Sequence, residues 1–197
     1  MSYFGDLLLA SNSPRRLVLL SDAGFDVQIL TGLACEESYP SDLTVNSIPE
    51  YLSLRKIEPF RDIATDENKP LVAADTIVAL DNVALGKPCD KKEALEILRL
   101  LNGKAHTVIS GVTLYYPNVG EISFSESTKV HFAQMPDKLL RYYVDEFLPL
   151  DKAGSYGIQE WIGMVGVERI EGDFYNVMGF PVSRFIKEFM NLSERFC

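Results

Sequence analysis

Apolar runs broken by short polar clusters divide this chain into alternating strand and helix segments. Leu7-Leu8-Leu9-Ala10 predicts a short buried strand, and Ser13-Pro14 then offers an N-cap and a proline suited to the first helical position. The helix so opened runs through Leu17 to Leu20 and stops at Gly24. Phe25 to Leu30 alternates as a second strand, and Ser47-Ile48-Pro49-Glu50 matches a capping box opening a helix through about Arg61. Residues 62–69 read as a polar loop. The strongest strand pattern is Leu71-Val72-Ala73-Ala74-Asp75-Thr76-Ile77-Val78-Ala79-Leu80, an apolar run of the kind buried on both faces. Asp81-Asn82 turns it into a return strand, Val83-Ala84-Leu85. A second capping box, Asp90-Lys91-Lys92-Glu93, opens a helix of clear 3.6-residue period that ends at Asn102-Gly103. Ala105–Tyr116 and Glu121–Phe132 form two long strands joined by Pro117-Asn118-Val119-Gly120, and a helix follows from Lys138 to about Phe147. Val165–Ile170 with the turn at Glu171-Gly172-Asp173 suggests another hairpin, and a terminal helix runs from about Asn176 to Asn191. No internal repeat or linker cuts the chain, so residues 1–197 are expected to form a single domain.

Asp75 is the residue that does not fit its surroundings. A carboxylate inside an apolar strand is costly to bury unless it is paired, hydrogen-bonded or on a metal. Either the strand ends at Ala74 and Asp75 lies in a turn, or the acid faces a cationic group; the immediate return of Ile77 to Leu80 favours the second. Ser11-Asn12-Ser13-Pro14-Arg15-Arg16 joins a strand to a helix N-terminus and carries two guanidinium groups. That makes it an anion site or, in the plainer alternative, a capped helix with solvated arginines. Lys87 lies between Gly86 and Pro88, a rigid setting for presenting an ammonium to a phosphate. The segment Asp151–Glu160 is rich in glycine and polar groups and reads equally as a functional loop or a plain connection. His106 and His131 lack partners at ligand spacing and read as structural.

The totals narrow the classes. With 28 acidic and 19 basic side chains the formal net charge is −9, which disfavours a protein that wraps duplex nucleic acid but not one that holds a small anion in a locally basic site. No apolar run approaches the roughly 20 residues of a membrane span. The start lacks the basic region of a signal peptide, and the three cysteines, Cys35, Cys89 and Cys197, are odd in number and far apart. A cytoplasmic protein with reduced thiols is therefore expected.

Several motifs together resemble the Maf family of nucleoside triphosphate pyrophosphatases, in that family's order and over essentially the whole chain. They are Ala10–Arg16, Ala74-Asp75-Thr76, Gly86-Lys87-Pro88, Asn102–Val108, Asp151–Gln159 and Asn176–Pro181. The Tyr156-Gly157-Ile158-Gln159 segment is similar to the branch acting on dTTP and UTP. The resemblance implies an α/β fold: a long, curved, mixed β-sheet with flanking helices, two lobes around a central cleft, and often a dimer. It further implies hydrolysis between the α- and β-phosphates with a divalent metal, Mg²⁺ or Mn²⁺. By the same resemblance Asp75 accepts the proton of water, and Arg16, Thr76 and Gln159 choose the base. Ser11, Arg15, Lys56, Lys87 and Lys152 contact phosphate, and Glu37 with Asp75 holds the metal. Glu160 stands where many relatives carry glycine, and Glu36 could exchange roles with Glu37. Two other readings are a regulator of cell division acting through protein contacts, and the same chemistry on modified purine nucleotides.

Overall fold

The computed structural model describes residues 2–32 and 38–194. Among these, seven strands form one mixed sheet flanked by helices: β1 (Gly5–Leu9), β2 (Phe25–Ile29), β3 (Leu71–Leu80), β4 (Val83–Leu85), β5 (Ala105–Tyr116), β6 (Gly120–Phe132) and β7 (Val167–Glu171). The order is β2-β1-β3-β5-β6-β7, with β4 on β3. β1 runs parallel to β2 and β3, while β4 and β7 pair antiparallel with β3 and β6. The α/β class and the mixed sheet are as the resemblance implies. No helix among the described residues is long and apolar enough to cross a membrane.

The described residues fall into two compact units. The first contains residues 2–32 and 38–75, Ser110–Glu126 and residues 179–194. Here α1 (Pro14–Asp22) joins β1 to β2, and α2 (Ile48–Ile57) and α3 (Arg61–Glu67) precede β3. Leu8, Ile57, Phe60, Ala64, Leu71 and Ala73 form one apolar cluster of this unit. Its last helix, α8 (Val182–Ser193), turns Phe185 and Phe189 onto Phe25, with Phe4 stacked on Phe25 at 4.8 Å.

The second unit contains Thr76–Ile109 and Ser127–Met178. It holds α4 (Lys91–Leu101), α5 (Asp137–Phe147), α6 (Trp161–Gly166) and α7 (Phe174–Met178). Leu98, Leu101, Val108, Val130, Tyr143 and Ile162 are among its fully buried core residues. The Asp81-Asn82 turn has positive φ at both residues, the conformation a two-residue hairpin requires. At α4 the expected cap is present, with the Glu93 N–H donating to Asp90 Oδ1 at 2.8 Å.

Four expectations are corrected. Residues 61–67 are helical, because Arg61 pairs with Glu121 and lies over the Tyr115 ring while Ala64 is fully buried. The Ser47 box does not form: Ser47 is itself in helical conformation, and the Glu50 carboxylate accepts from Ser125 at 3.0 Å instead. β7 finds its partner in β6 and leads into α7, with no hairpin beyond it. The terminal helix is two helices, divided at Gly179 (φ +117°).

Candidate functional site

The site begins with β3, whose residues through Asp75 lie in the first unit. Eight of its ten residues are buried, and only Asp75 and Thr76 are half-exposed. The turn alternative is thereby excluded: Asp75 is in the strand. Its Oδ1 accepts a hydrogen bond from Lys56 Nζ at 2.6 Å, with the two side chains 13% and 17% exposed.

Lys56 reaches that position because α2 is seated closely on β5. A side chain at Gly111 would collide with the Pro49 carbonyl and the Glu50 backbone nitrogen, so glycine permits the approach. One turn on, buried Ser53 shares a hydrogen bond with buried Thr113 of β5 at 2.8 Å, and Thr113 shares one with Ser123 at 2.9 Å. Positions 49, 53 and 56 follow the i, i+4, i+7 spacing of one helix face, so the contacts that dock α2 also aim Lys56.

The start of α1 brings Ser11 and Arg16 together. Arg16 is buried; its Nη1 donates to Ser11 Oγ at 3.1 Å and its Nε to the Gly179 carbonyl at 3.0 Å. Ser13 has the extended backbone of an N-cap, but its hydroxyl does not cap, and its N–H donates to Ser11 Oγ at 3.2 Å. Arg15 is half-buried on the first turn.

In the second unit Lys87 is exposed on the bend between β4 and α4. Its neighbour Gly86 accepts a hydrogen bond from the Gly154 N–H at 3.2 Å, which ties that bend to the turn following Lys152. Lys152 is buried, and its ammonium lies 2.7 Å from Asp151 Oδ1 and 3.0 Å from Glu160 Oε1. Thr76 is half-buried and Gln159 exposed. Tyr143, on the inward face of α5, donates to Glu160 Oε2 and accepts from the Gly157 N–H at 3.0 Å. Burial and the Glu160 hydrogen bond push the Tyr143 hydroxyl well above the usual phenol range. Sequence reasoning missed this tyrosine; a polar-tipped ring at a core position of an amphipathic helix was the available signal.

His106 is buried with its Nε2 sharing a hydrogen bond with Tyr156 Oη at 2.7 Å, and burial, with His131 adding, lowers its pKa to about 4. His131 lies 2.7 Å from Glu171. Both have protein partners. No group of three or more His, Cys, Asp or Glu side chains among the described residues is arranged to hold a metal ion. Glu37, expected as a metal ligand, and its neighbour Glu36 lie outside the described residues. The donor at Asp75 nevertheless suits a hard cation: it is a part-exposed carboxylate with one oxygen on Lys56. Mg²⁺ takes as few as one protein carboxylate when water and substrate phosphates complete its shell.

Residues 6–192 match the family model described as Maf-like protein. A dTTP/UTP pyrophosphatase of Bacteroides thetaiotaomicron is 45% identical over 186 residues, covering 94% of this chain and 95% of that protein. Another protein of that name, from Cytophaga hutchinsonii, is 46% identical over 183 residues, with 93% and 82% covered. The solved Ham1 protein of Staphylococcus aureus is 15% identical with a TM-score of 0.46, covering 66% of this chain and 72% of that one, a partial likeness that adds nothing to the assignment.

Proposed function

This chain belongs to the Maf-like protein family, and on that premise we propose that it hydrolyses dTTP and UTP between the α- and β-phosphates, releasing the nucleoside monophosphate and pyrophosphate. The observation that carries the reading is the Lys56–Asp75 pair, a carboxylate set in an apolar strand and steered by an ammonium at 2.6 Å. In this reading Asp75 takes the proton from the attacking water, and Lys56 both holds the carboxylate and meets the incoming phosphates. Ser11, Arg15, Lys87 and Lys152 bind the triphosphate, whose charge spreads over its oxygens as the bond to the leaving pyrophosphate breaks. Arg16, Thr76 and Gln159 select the base; an amide that donates and accepts at once suits the O4 and N3–H edge common to uracil and thymine.

Asp75, with Glu37 as a second ligand, would hold a divalent cation, Mg²⁺ or Mn²⁺. When bound, such an ion polarises phosphoryl oxygens and lowers the pKa of a water. Residues 1–197 act as one catalytic domain, working in the cytoplasm on free nucleotides and as a homodimer.

The test is pyrophosphate release from dTTP, UTP, CTP, pseudouridine triphosphate, ITP and 7-methyl-GTP with Mg²⁺ or Mn²⁺. UTP and dTTP should be consumed far faster than CTP, and Asp75→Asn should lower kcat roughly 10²- to 10⁴-fold. A wild-type protein inert on every pyrimidine nucleotide would end the proposal, and a preference for ITP would redirect it to purines.

A further inference from the structure

Glu160 divides its two carboxylate oxygens between two different jobs. Oε1 lies 3.0 Å from the Lys152 ammonium, and Oε2 accepts from the Tyr143 hydroxyl. Tyr143 is fully buried, and its oxygen in turn takes the Gly157 N–H at 3.0 Å. The Gln159 side chain lies over the same stretch of backbone: a Cβ at residue 157 would be 3.0 Å from Gln159 Nε2 and 2.9 Å from Glu160 Cδ. One carboxylate thus touches the ammonium on one side and braces the Gly157–Gln159 turn on the other.

We infer that Glu160 is a positioning residue that fixes Lys152 and, through Tyr143, the turn carrying Gln159 as a single rigid piece. The kinetic half of this rests on the functional reading above, in which Lys152 meets phosphate and Gln159 meets the base. The structural half does not. A charged oxygen shared by an ammonium and a phenol is a strong, directional tie. It leaves the Lys152 ammonium in one place at the cost of partly neutralising it, together with Asp151 at 2.7 Å. Removing only the charge should therefore separate placement from attraction. The ammonium binds the substrate's phosphates at least as tightly in the ground state but no longer meets the transition state in register.

The variants are Glu160→Gln and Tyr143→Phe, each checked for its far-ultraviolet circular dichroism. Acylation of Lys152 by an N-hydroxysuccinimide ester, read by peptide mass spectrometry, should accelerate roughly tenfold in E160Q, the scale of a lost charge-assisted hydrogen bond. In Y143F it should stay near the wild-type rate. Deuterium exchange of the Gly157 amide should quicken by a similar factor in Y143F. With UTP, E160Q should lose roughly tenfold or more in kcat with no rise in KM, while Y143F should lose preference for UTP over CTP. Lys152 acylating in E160Q at the wild-type rate, or Gly157 exchanging in Y143F at the wild-type rate, overturns the inference. Should E160Q not fold, the exchange measurement on Y143F decides alone. A wild-type protein that releases no pyrophosphate sinks the functional reading instead and leaves labelling and exchange to judge the positioning role.

Discussion

At the scale of single residues, the groups that matter are those whose burial conflicts with their polarity. Asp75 resolves the conflict with Lys56, and Lys152 with two carboxylates. His106 resolves it by staying neutral, its Nε2 bonded to Tyr156. Because its folded pKa of about 4 lies below the ordinary value of 6.5, the unfolded chain takes up the proton first. The stability it contributes is complete above pH 6.5, shrinks as pH falls from 6.5 to about 4, and is constant below. Over that window the loss should reach about 3 kcal/mol. Urea unfolding from pH 7 to pH 4 should show this acid limb in the wild type and a shallower one in His106→Gln. Asp75 stood out from sequence because a strand pattern makes a single acid conspicuous. Tyr143 did not, and Glu160 showed only as a departure from its relatives, since nothing local brings residues 17 positions apart onto one another.

Elements were legible where their own periodicity decides them and illegible where a partner does. The β3 run and α4 carry their pattern and cap within a dozen residues. Helix α3 is polar along most of its length and is held by Glu121, Tyr115 and an alanine-sized core contact, none of which a local window contains. The break between α7 and α8 falls at Gly179, whose carbonyl is taken by Arg16. Docking of α2 at Gly111 is the element-scale contact on which the Lys56–Asp75 pair depends. Gly111→Ala should push α2 off β5 and destabilise the protein by about 2–3 kcal/mol. Its midpoint in urea should drop, and kcat for UTP should fall by more than the unfolded fraction explains.

For the whole molecule, the net charge of −9 sets the background against which a few cations must hold a triphosphate, and a divalent ion would ease that task. Mg²⁺ is commonly held by one or two carboxylates together with substrate phosphates, so in the proposed reading the ion is expected to arrive with the nucleotide. Chelation by EDTA should abolish pyrophosphate release and leave the Tm of the substrate-free protein where it was, and excess Mg²⁺ or Mn²⁺ should restore turnover. The β3 strand has a further consequence, one that concerns the chain before it is folded. Between Lys69 and Asp81, Asp75 is the sole charged side chain in a stretch otherwise made of proline, threonine and aliphatic residues. Such segments stack readily into intermolecular sheets, and a lone charge in the middle deters them. Asp75→Asn should therefore scatter more light than Asp75→Glu on dilution from urea, and the acid assigned to water activation would also serve as the chain's guard against aggregation on its way to the native state.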